Sequence, residues 1–214
     1  MKECTAFIRI TRYRKSVYTL FMTDYSDQTD ESLALLSATD HDAFGALVGR
    51  YEQKLYRYVR RITDVNHEEC EDILQETFLK SYRYLHNFDP SLSFSSWMYR
   101  IAHNETISHF RKRSVRPKII REEDGNTYLQ NVAADLDITA DIDRETLQRQ
   151  IQDVLDSLGP KYKDVLILRY LEEKSYQEIS DILKIPVKTV GTRINRAKKQ
   201  LRHIIAGHDM NIRS

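Results

Sequence analysis

Cysteine is nearly missing from this chain: Cys4 and Cys70 are the only two in 214 residues. Two thiols so far apart make no disulfide framework, and the pattern suits a reducing cytoplasm. His67 stands three residues from Cys70, but two potential ligands are too few for a zinc site, and packing or solvent-facing roles suit them better. No apolar run approaches the ~18 to 20 residues of a membrane span. Glycine and proline are scarce too, six and four respectively, which leaves little to interrupt helices. Net charge is almost absent, +1 overall with 30% charged residues. The chain is no polycation, so its information lies in how charge is distributed.

What remains is helical punctuation and period. Phe44, Leu47, Val48, Tyr51, Leu55, Val59 and Ile62 recur at threes and fours, the stripe of one long helix. Asn66 reads as the N-cap of the next, with Glu69 three residues on. Ile73, Leu74, Phe78, Tyr82 and Leu85 form its inner face. After the loop "HNFDPSLSFS" a third helix is expected over "SWMYRIAHNETISHFRKR", with Met98, Ile101 and Ala102 inward. The first stretch, "MKECTAFIRITRYRKSVYTLF", is basic and has neither the apolar core nor the small-residue cleavage site of a secretory signal. Met22 opens what reads as a natural start, so residues 1–21 are expected to be a disordered extension, reaching to about residue 30 before the folded part begins.

Charge then divides the chain. From Arg121 to Thr146 there are eight acids against two arginines, with sparse apolar residues and no period, the composition of a flexible tether. Beyond it Leu147, Ile151, Val154, Leu155 and Leu158 suit one helix, which Gly159 ends. Pro160 opens the next, with Val165, Leu166 and Leu168 apolar. The expected fold is all-α: two small helical domains joined by a flexible acidic linker, the second containing a helix-turn-helix.

That motif is "SYQEISDILKIPVKTVGTRINRAKKQL", residues 175–201. Ser175 with Glu178 makes a capping box, and Ile179, Ile182 and Leu183 pack inward. Pro186 suits the turn before a second helix whose inner stripe is Val187, Val190, Ile194, Ala197 and Leu201. Lys188, Arg193, Arg196, Lys198, Lys199 and Arg202 occupy the rest with no acid among them. Most charge runs are merely solvated faces. Here the turn and the one-sided charge coincide, as in a recognition helix that meets base edges early and phosphates later.

A second acid-free basic stretch, "RKRSVRPK", closes the first block at residues 111–118. Helical spacing aligns Trp97, Asn104, Ser108 and Arg111, with Arg100 adjacent, and Phe88 and Phe94 lie in the preceding loop, where burial is not forced. Aromatics beside cations can hold unpaired bases; Trp97 and Phe94 are equally readable as core anchors.

In this order, "EDILQETFLKSYRYLHNF", "FSSWMYRIAHNETISHFRKR" and "LGPKYKDVLILRYLEEKSYQEISDILKIPVKTVGTRINRAKKQL" resemble the extracytoplasmic-function sigma factors of bacterial RNA polymerase, over roughly residues 31–205. The resemblance implies a transcription initiation factor, not an enzyme, with no cofactor and no metal. It implies sigma domain two at 31–116, an acidic linker at 117–143, sigma domain four at 144–205 and a flexible tail at 206–214. The partners it implies are core RNA polymerase, through its beta-prime clamp and beta flap, and promoter DNA, duplex and single-stranded. Whether an anti-sigma protein also binds is left open. Asp72, Gln75, Glu76 and Lys80 fall on the surface that docks on the clamp. Phe88 and Asn104 stand where the family captures a flipped base of the −10 element, and Trp97, Arg100 and Arg111 would hold the melted strand. Lys188, Thr189, Thr192, Arg193, Asn195, Arg196 and Lys199 would meet the −35 element, Asn195 pairing with adenine and Arg196 with guanine or phosphate. Gly191 departs from the family, many of whose members carry a basic residue there.

The two promoter elements lie ~60 Å apart, from ~17 base pairs at ~3.4 Å each. A relaxed coil of the tether's length averages only ~25 to 30 Å, with an extended limit of ~85 Å, so the tether is expected to be stretched and held. It could lie in a nucleic-acid channel of the polymerase or serve only as a soluble spacer. A helix-turn-helix regulator outside the sigma family would need a ligand or receiver domain in place of the first block, and no strand pattern suggests one. A nucleic-acid enzyme would need clustered carboxylates or a nucleophile arrangement, whereas the acids here fall in the tether and on helix surfaces.

Overall fold

The computed structural model describes residues 25–115 and 155–212, and among these every regular element is helical. The chain divides into two compact units, one of residues up to Val59 with Glu68–Arg113, the other of Arg60–His67 with Ser114 onward. The acidic stretch 117–143 lies outside the described residues, as do residues 1–24 and most of the helix expected around Leu147, Ile151 and Val154.

In the first unit α1 spans Asp30–Leu36, α2 His41–Ile62, α3 His67–Tyr84 and α4 Phe94–Val115. The stripe read from sequence is the core of α2: Phe44, Leu47, Tyr51, Leu55 and Val59 are buried, joined by Ala43 and Tyr58. Val48 and Ile62 at its margins are only half-buried. Ile73, Leu74 and Phe78 of α3 and Met98 and Ala102 of α4 complete the core, while Tyr82 and Ile101 stay half-buried. Aromatic contacts set the packing of these helices. Phe44 meets Tyr82 edge-on at 5.0 Å, Tyr51 meets Phe94 at 5.7 Å, and Tyr58 meets Tyr99 at 5.1 Å. Fully burying a ring such as Phe44 or Phe94 contributes about 1.5 to 3 kcal/mol. Two threonine hydroxyls on the inner faces are satisfied within their own helices: Thr77 donates to the Ile73 carbonyl (2.7 Å) and Thr106 to that of Ala102 (2.8 Å).

Residues 25–30, expected in the disordered extension, belong to this unit. Tyr25 is buried, and its hydroxyl donates to Asp40, holding that carboxyl below its usual range. Arg50 donates to the carbonyls of Tyr25 (2.6 Å) and Gln28 (2.9 Å) and to Asp30 (2.6 Å). The bonding partners are fifteen to twenty-five residues away, so no local pattern announces them.

In the second unit α5 spans Pro160–Leu166, with Pro160 in its first turn as read, and Gly159, read as the end of the preceding helix, serves as its N-cap. A π-helical turn, Ile167–Leu171, follows and ends as the Glu172 amide donates to the Ile167 carbonyl at 3.0 Å. Then come α6, Tyr176–Leu183, and α7, Val187–Ile212. The helix therefore continues through 206–212, where a flexible tail was expected. Leu155, Leu158, Val165, Leu166, Ile167, Leu168, Ile179, Ile182, Val190, Ile194 and Ala197 form a closed aliphatic core. Leu183 and Leu201 are half-buried and Val187 is exposed, because the inner stripe of α7 begins only at Val190.

Candidate nucleic-acid and protein interfaces

In the second unit the capping box read from sequence is closed: the Glu178 amide donates to Ser175 Oγ (3.2 Å), and the Ser175 amide donates to the Glu178 carboxylate (2.8 Å). α6 stops at Lys184, which takes the left-handed conformation (φ 53°). The Ile185 amide returns to the Ser180 carbonyl (3.3 Å), and Ser180 Oγ donates to the Ile185 carbonyl (2.6 Å). Pro186 supplies the carbonyl that accepts from the Thr189 and Val190 amides, starting α7. The turn is therefore tied on both sides, and α7 is fixed relative to α6.

Val190, Ile194 and Ala197 anchor the inner side of α7, leaving Lys188, Thr192, Asn195, Arg196 and Lys199 exposed on the other. The Thr192 hydroxyl donates to the Lys188 carbonyl (2.9 Å). Thr189 and Arg193 are only half-buried, at the edge of this face. Arg193 acts on Asp164 of α5, whose carboxyl burial pushes up to about 6 while the charges of Lys163 and Arg193 pull it back. The sequence reading missed two residues beside this face. Arg169 lies over the Tyr176 ring at 5.5 Å, and that ring is the nearest group to a side chain built at Gly191, at 3.6 Å. Tyr176 announces itself only by following the N-cap. Arg169 sits in the π-helical turn, which breaks the 3.6-residue period.

In the first unit the loop before α4 is short and braced. A 3-10 turn covers Leu85–Asn87. Asp89 then closes a tight turn, accepting from the Ser91 amide at its carboxylate (2.9 Å) and from the Leu92 amide at its carbonyl (3.0 Å). The Ser91 bond holds the Asp89 carboxyl below its usual range. Phe88, Phe94 and Trp97 close on one another, with ring centroids 5.2 to 5.6 Å apart. Phe88 is therefore not the open platform expected of a free loop. It is buried, because its ring stands edge-on to Phe94, which is itself wholly buried. Trp97 is the outer, half-buried member. Along α4 from it stand half-buried Arg100 and exposed Asn104 and Arg111. His103, behind Asn104, meets the Tyr58 hydroxyl at 3.0 Å, and burial pushes its pKa down to about 4, so it is neutral at pH 7.

On α3, Asp72 and Glu76 are exposed and Gln75 half-buried, one turn apart on the side away from Ile73 and Leu74. Lys80 continues that side, but its ammonium pairs with Glu105 of α4 at 2.6 Å, tying α3 to the helix that carries Asn104. Among the described residues no group of three or more His, Cys, Asp or Glu could hold a metal, and no helix is long and apolar enough to cross a membrane.

Residues 47–116 match the family model for sigma-70 region 2, and residues 148–201 match that for sigma-70, region 4. The chain is 38% identical over 167 residues to the ECF RNA polymerase sigma factor SigW of Bacillus subtilis, covering 76% of this chain and 89% of that protein. To the ECF RNA polymerase sigma-E factor of Haemophilus influenzae it is 31% identical over 182 residues, 83% and 95% of the two chains. Among solved structures, CnrH in complex with the cytosolic domain of CnrY aligns with a TM-score of 0.62 at 23% identity, over 83% of this chain and 97% of that one. The sigma factor RpoE of Bartonella quintana, in complex with the anti-sigma factor NepR, aligns with a TM-score of 0.56 at 18% identity, over 76% and 96%. These two structures share the fold of the chain.

Proposed function

The chain belongs to the extracytoplasmic-function sigma factors of RNA polymerase, and from that membership we propose how its surfaces divide the work. It directs core RNA polymerase to promoters. Its part is binding and strand opening, and bond-making stays with the polymerase. Residues 31–116 act as the −10 and core-binding domain, 117–143 as the acidic linker and 144–205 as the −35 domain.

α7 enters the major groove of the −35 element. Lys188, Thr189 and Thr192, near its start, face base edges, Asn195 pairs with adenine, and Arg196 and Lys199 meet guanine or phosphate. Arg193, at the edge of the face and beside Asp164, reaches a flanking phosphate. Arg169 and Tyr176 border the gap left by Gly191. On α4 a base flipped from the −10 element stacks on the outer side of Trp97 and bonds to Asn104, while Arg100 and Arg111 hold the backbone. Phe88 and Phe94 brace Trp97 from behind. Asp72, Gln75 and Glu76 present an acidic surface to the beta-prime clamp, with Lys80 steadied by Glu105. An anti-sigma protein is a further partner, as NepR is for the sigma factor RpoE of Bartonella quintana. The domain-four unit meets the beta flap, and the whole acts in the cytoplasm.

The observation that carries this reading is the pairing, in one chain, of a recognition helix without an acid over residues 187–208 with a second basic helix built on an aromatic floor. The test is run-off transcription with core enzyme on genomic promoter fragments. Discrete start sites that depend on the chain support it, and no stimulation at any promoter refutes it.

A further inference from the structure

The start of α4 is held from a distance. Phe94 opens that helix, so its amide has no partner within it. Its residue is wholly buried, so the amide cannot turn to water, and an unsatisfied donor there would be costly. Two residues on, the Ser96 amide is met locally by Ser93 Oγ at 3.2 Å. The Phe94 amide is met instead by the carboxylate of Glu31, on α1 and 63 residues earlier, at 2.9 Å. A carboxylate also suits the positive end of the helix.

Glu31 does not act alone. Its neighbour Asp30 accepts from the Tyr51 hydroxyl and from Arg50, and the Tyr51 ring stands edge-on to Phe94 at 5.7 Å. Adjacent acids on α1 thus grip two residues that touch each other, one on α2 and one at the head of α4. Burial and the Asp30 bond both push the Tyr51 hydroxyl pKa well up, so it stays a donor. Phe94 in turn packs on Phe88 and Trp97. The height and direction of the aromatic floor are set at this point. A negative side chain so near a strand-binding surface is of no use for contacting DNA.

We propose that Glu31 is a positioning residue for promoter opening: through the Phe94 amide it fixes the first turn of α4, and so the Trp97–Asn104 face that receives the flipped base. The inference rests on the sigma-factor reading above and adds α1 to the strand-opening machinery.

The test compares full-length wild type, Glu31→Ala and Glu31→Gln with core enzyme. Four readouts are needed: permanganate reactivity of the −10 region on a duplex promoter, transcription from a pre-melted template, core affinity, and thermal unfolding by Trp97 fluorescence. Glu31→Ala should slow opening of the duplex about threefold to tenfold, the loss of one charge-assisted hydrogen bond. Pre-melted transcription and core affinity should stay within about twofold of wild type, since neither depends on a single cap. Glu31→Gln keeps an oxygen that can accept the same amide and should recover most of the rate. The proposal falls if Glu31→Ala opens duplex DNA at the wild-type rate, or if both templates and core affinity suffer equally, which would mean a general loss of fold. It also falls if Glu31→Gln is no better than Glu31→Ala. Failure of wild type itself to initiate would instead refute the sigma-factor reading, and this inference with it.

Discussion

α4 and α7 both turn a cationic side outward, yet they are built differently. α7 needs little beyond its own unit's aliphatic core: Val190, Ile194 and Ala197 fix one side, and a tied turn sets its angle to α6. α4 depends on pieces gathered along the first unit, namely Tyr51 of α2, Phe88 of the loop and the acids of α1. The difference follows the nucleic acid each would meet. Duplex DNA arrives with its groove already formed, so a rigid rod with exposed cations suffices. A flipped base costs a few kcal/mol to expose, and stacking returns that only where an aromatic surface is already in place.

The sharpest way to break this comparison is to remove the shared aromatic. Phe94→Ala deletes a wholly buried ring that touches Tyr51, Phe88 and Trp97, and should destabilise the first unit by about 3 to 5 kcal/mol. Trp97 is the chain's one tryptophan, so its fluorescence in a urea titration reports that unit. Binding of duplex −35 DNA should change by less than about twofold, because Phe94 and the α7 face belong to different units and share no described partner. If it collapses together with the fluorescence, the two units are not independent and the comparison fails.

Acid should act on the two units in opposite directions. His103 has a pKa pushed from 6.5 down to about 4 by burial. The unfolded chain therefore binds the proton more readily, and the first unit loses stability as pH falls from about 6.5 toward 4. Asp164 is the reverse: burial raises its carboxyl from 3.8 to about 6. The folded state takes up that proton first, so the second unit gains stability as pH falls through 6 and loses it on the way back up. Either shift corresponds to at most about 3 kcal/mol. Hydrogen exchange followed residue by residue between pH 4 and 7 separates the units. His103→Gln should flatten the first response and Asp164→Asn the second; parallel responses in both units would show that other groups dominate.

Trp97→Ala and Arg196→Ala sharpen the distinction between the two nucleic-acid forms. The first should weaken binding to a single-stranded −10 oligonucleotide by about 1 to 3 kcal/mol and leave the salt slope alone. The second should weaken duplex −35 binding by a similar amount if it reads a base, or lower the salt slope by about one if it meets phosphate. Fluorescence anisotropy across a salt series distinguishes these outcomes. A Trp97 variant that lost duplex −35 affinity would contradict the division of labour.

The second unit was far more legible than the first, for a physical reason. Ser175 with Glu178, Gly159 with Pro160, and the Pro186 turn all work within five residues, so their chemistry is written locally. The first unit is closed by contacts that span 20 to 63 residues, such as Asp30 with Arg50 and Glu31 with Phe94. Periodicity found the α2 stripe but could not show that α1 folds onto it. Phe88 looked free because its loop holds a proline and serines, whereas its burial depends on Phe94 and Trp97 approaching from the next helix. The π-helical turn at Ile167–Leu171 hid Arg169 in the same way, by breaking the repeat that would have placed it.

Gly191 offers the smallest effect and a fine test of the α7 side. A methyl group there would sit 3.6 Å from the Tyr176 ring, an ordinary contact. Gly191→Ala should therefore only remove the backbone freedom of a glycine inside a helix, stabilising the second unit by about 0.5 to 1 kcal/mol. Core affinity and −10 opening should not move. If −35 affinity also holds, the gap beside Tyr176 is unused space, and the glycine has no part in reading the −35 element. If affinity falls while stability rises, DNA comes close enough to Gly191 to exclude even a methyl. In that case the Arg169–Tyr176 pair borders a point of backbone approach, and the two basic helices differ in how closely they admit their strands as well as in what they read.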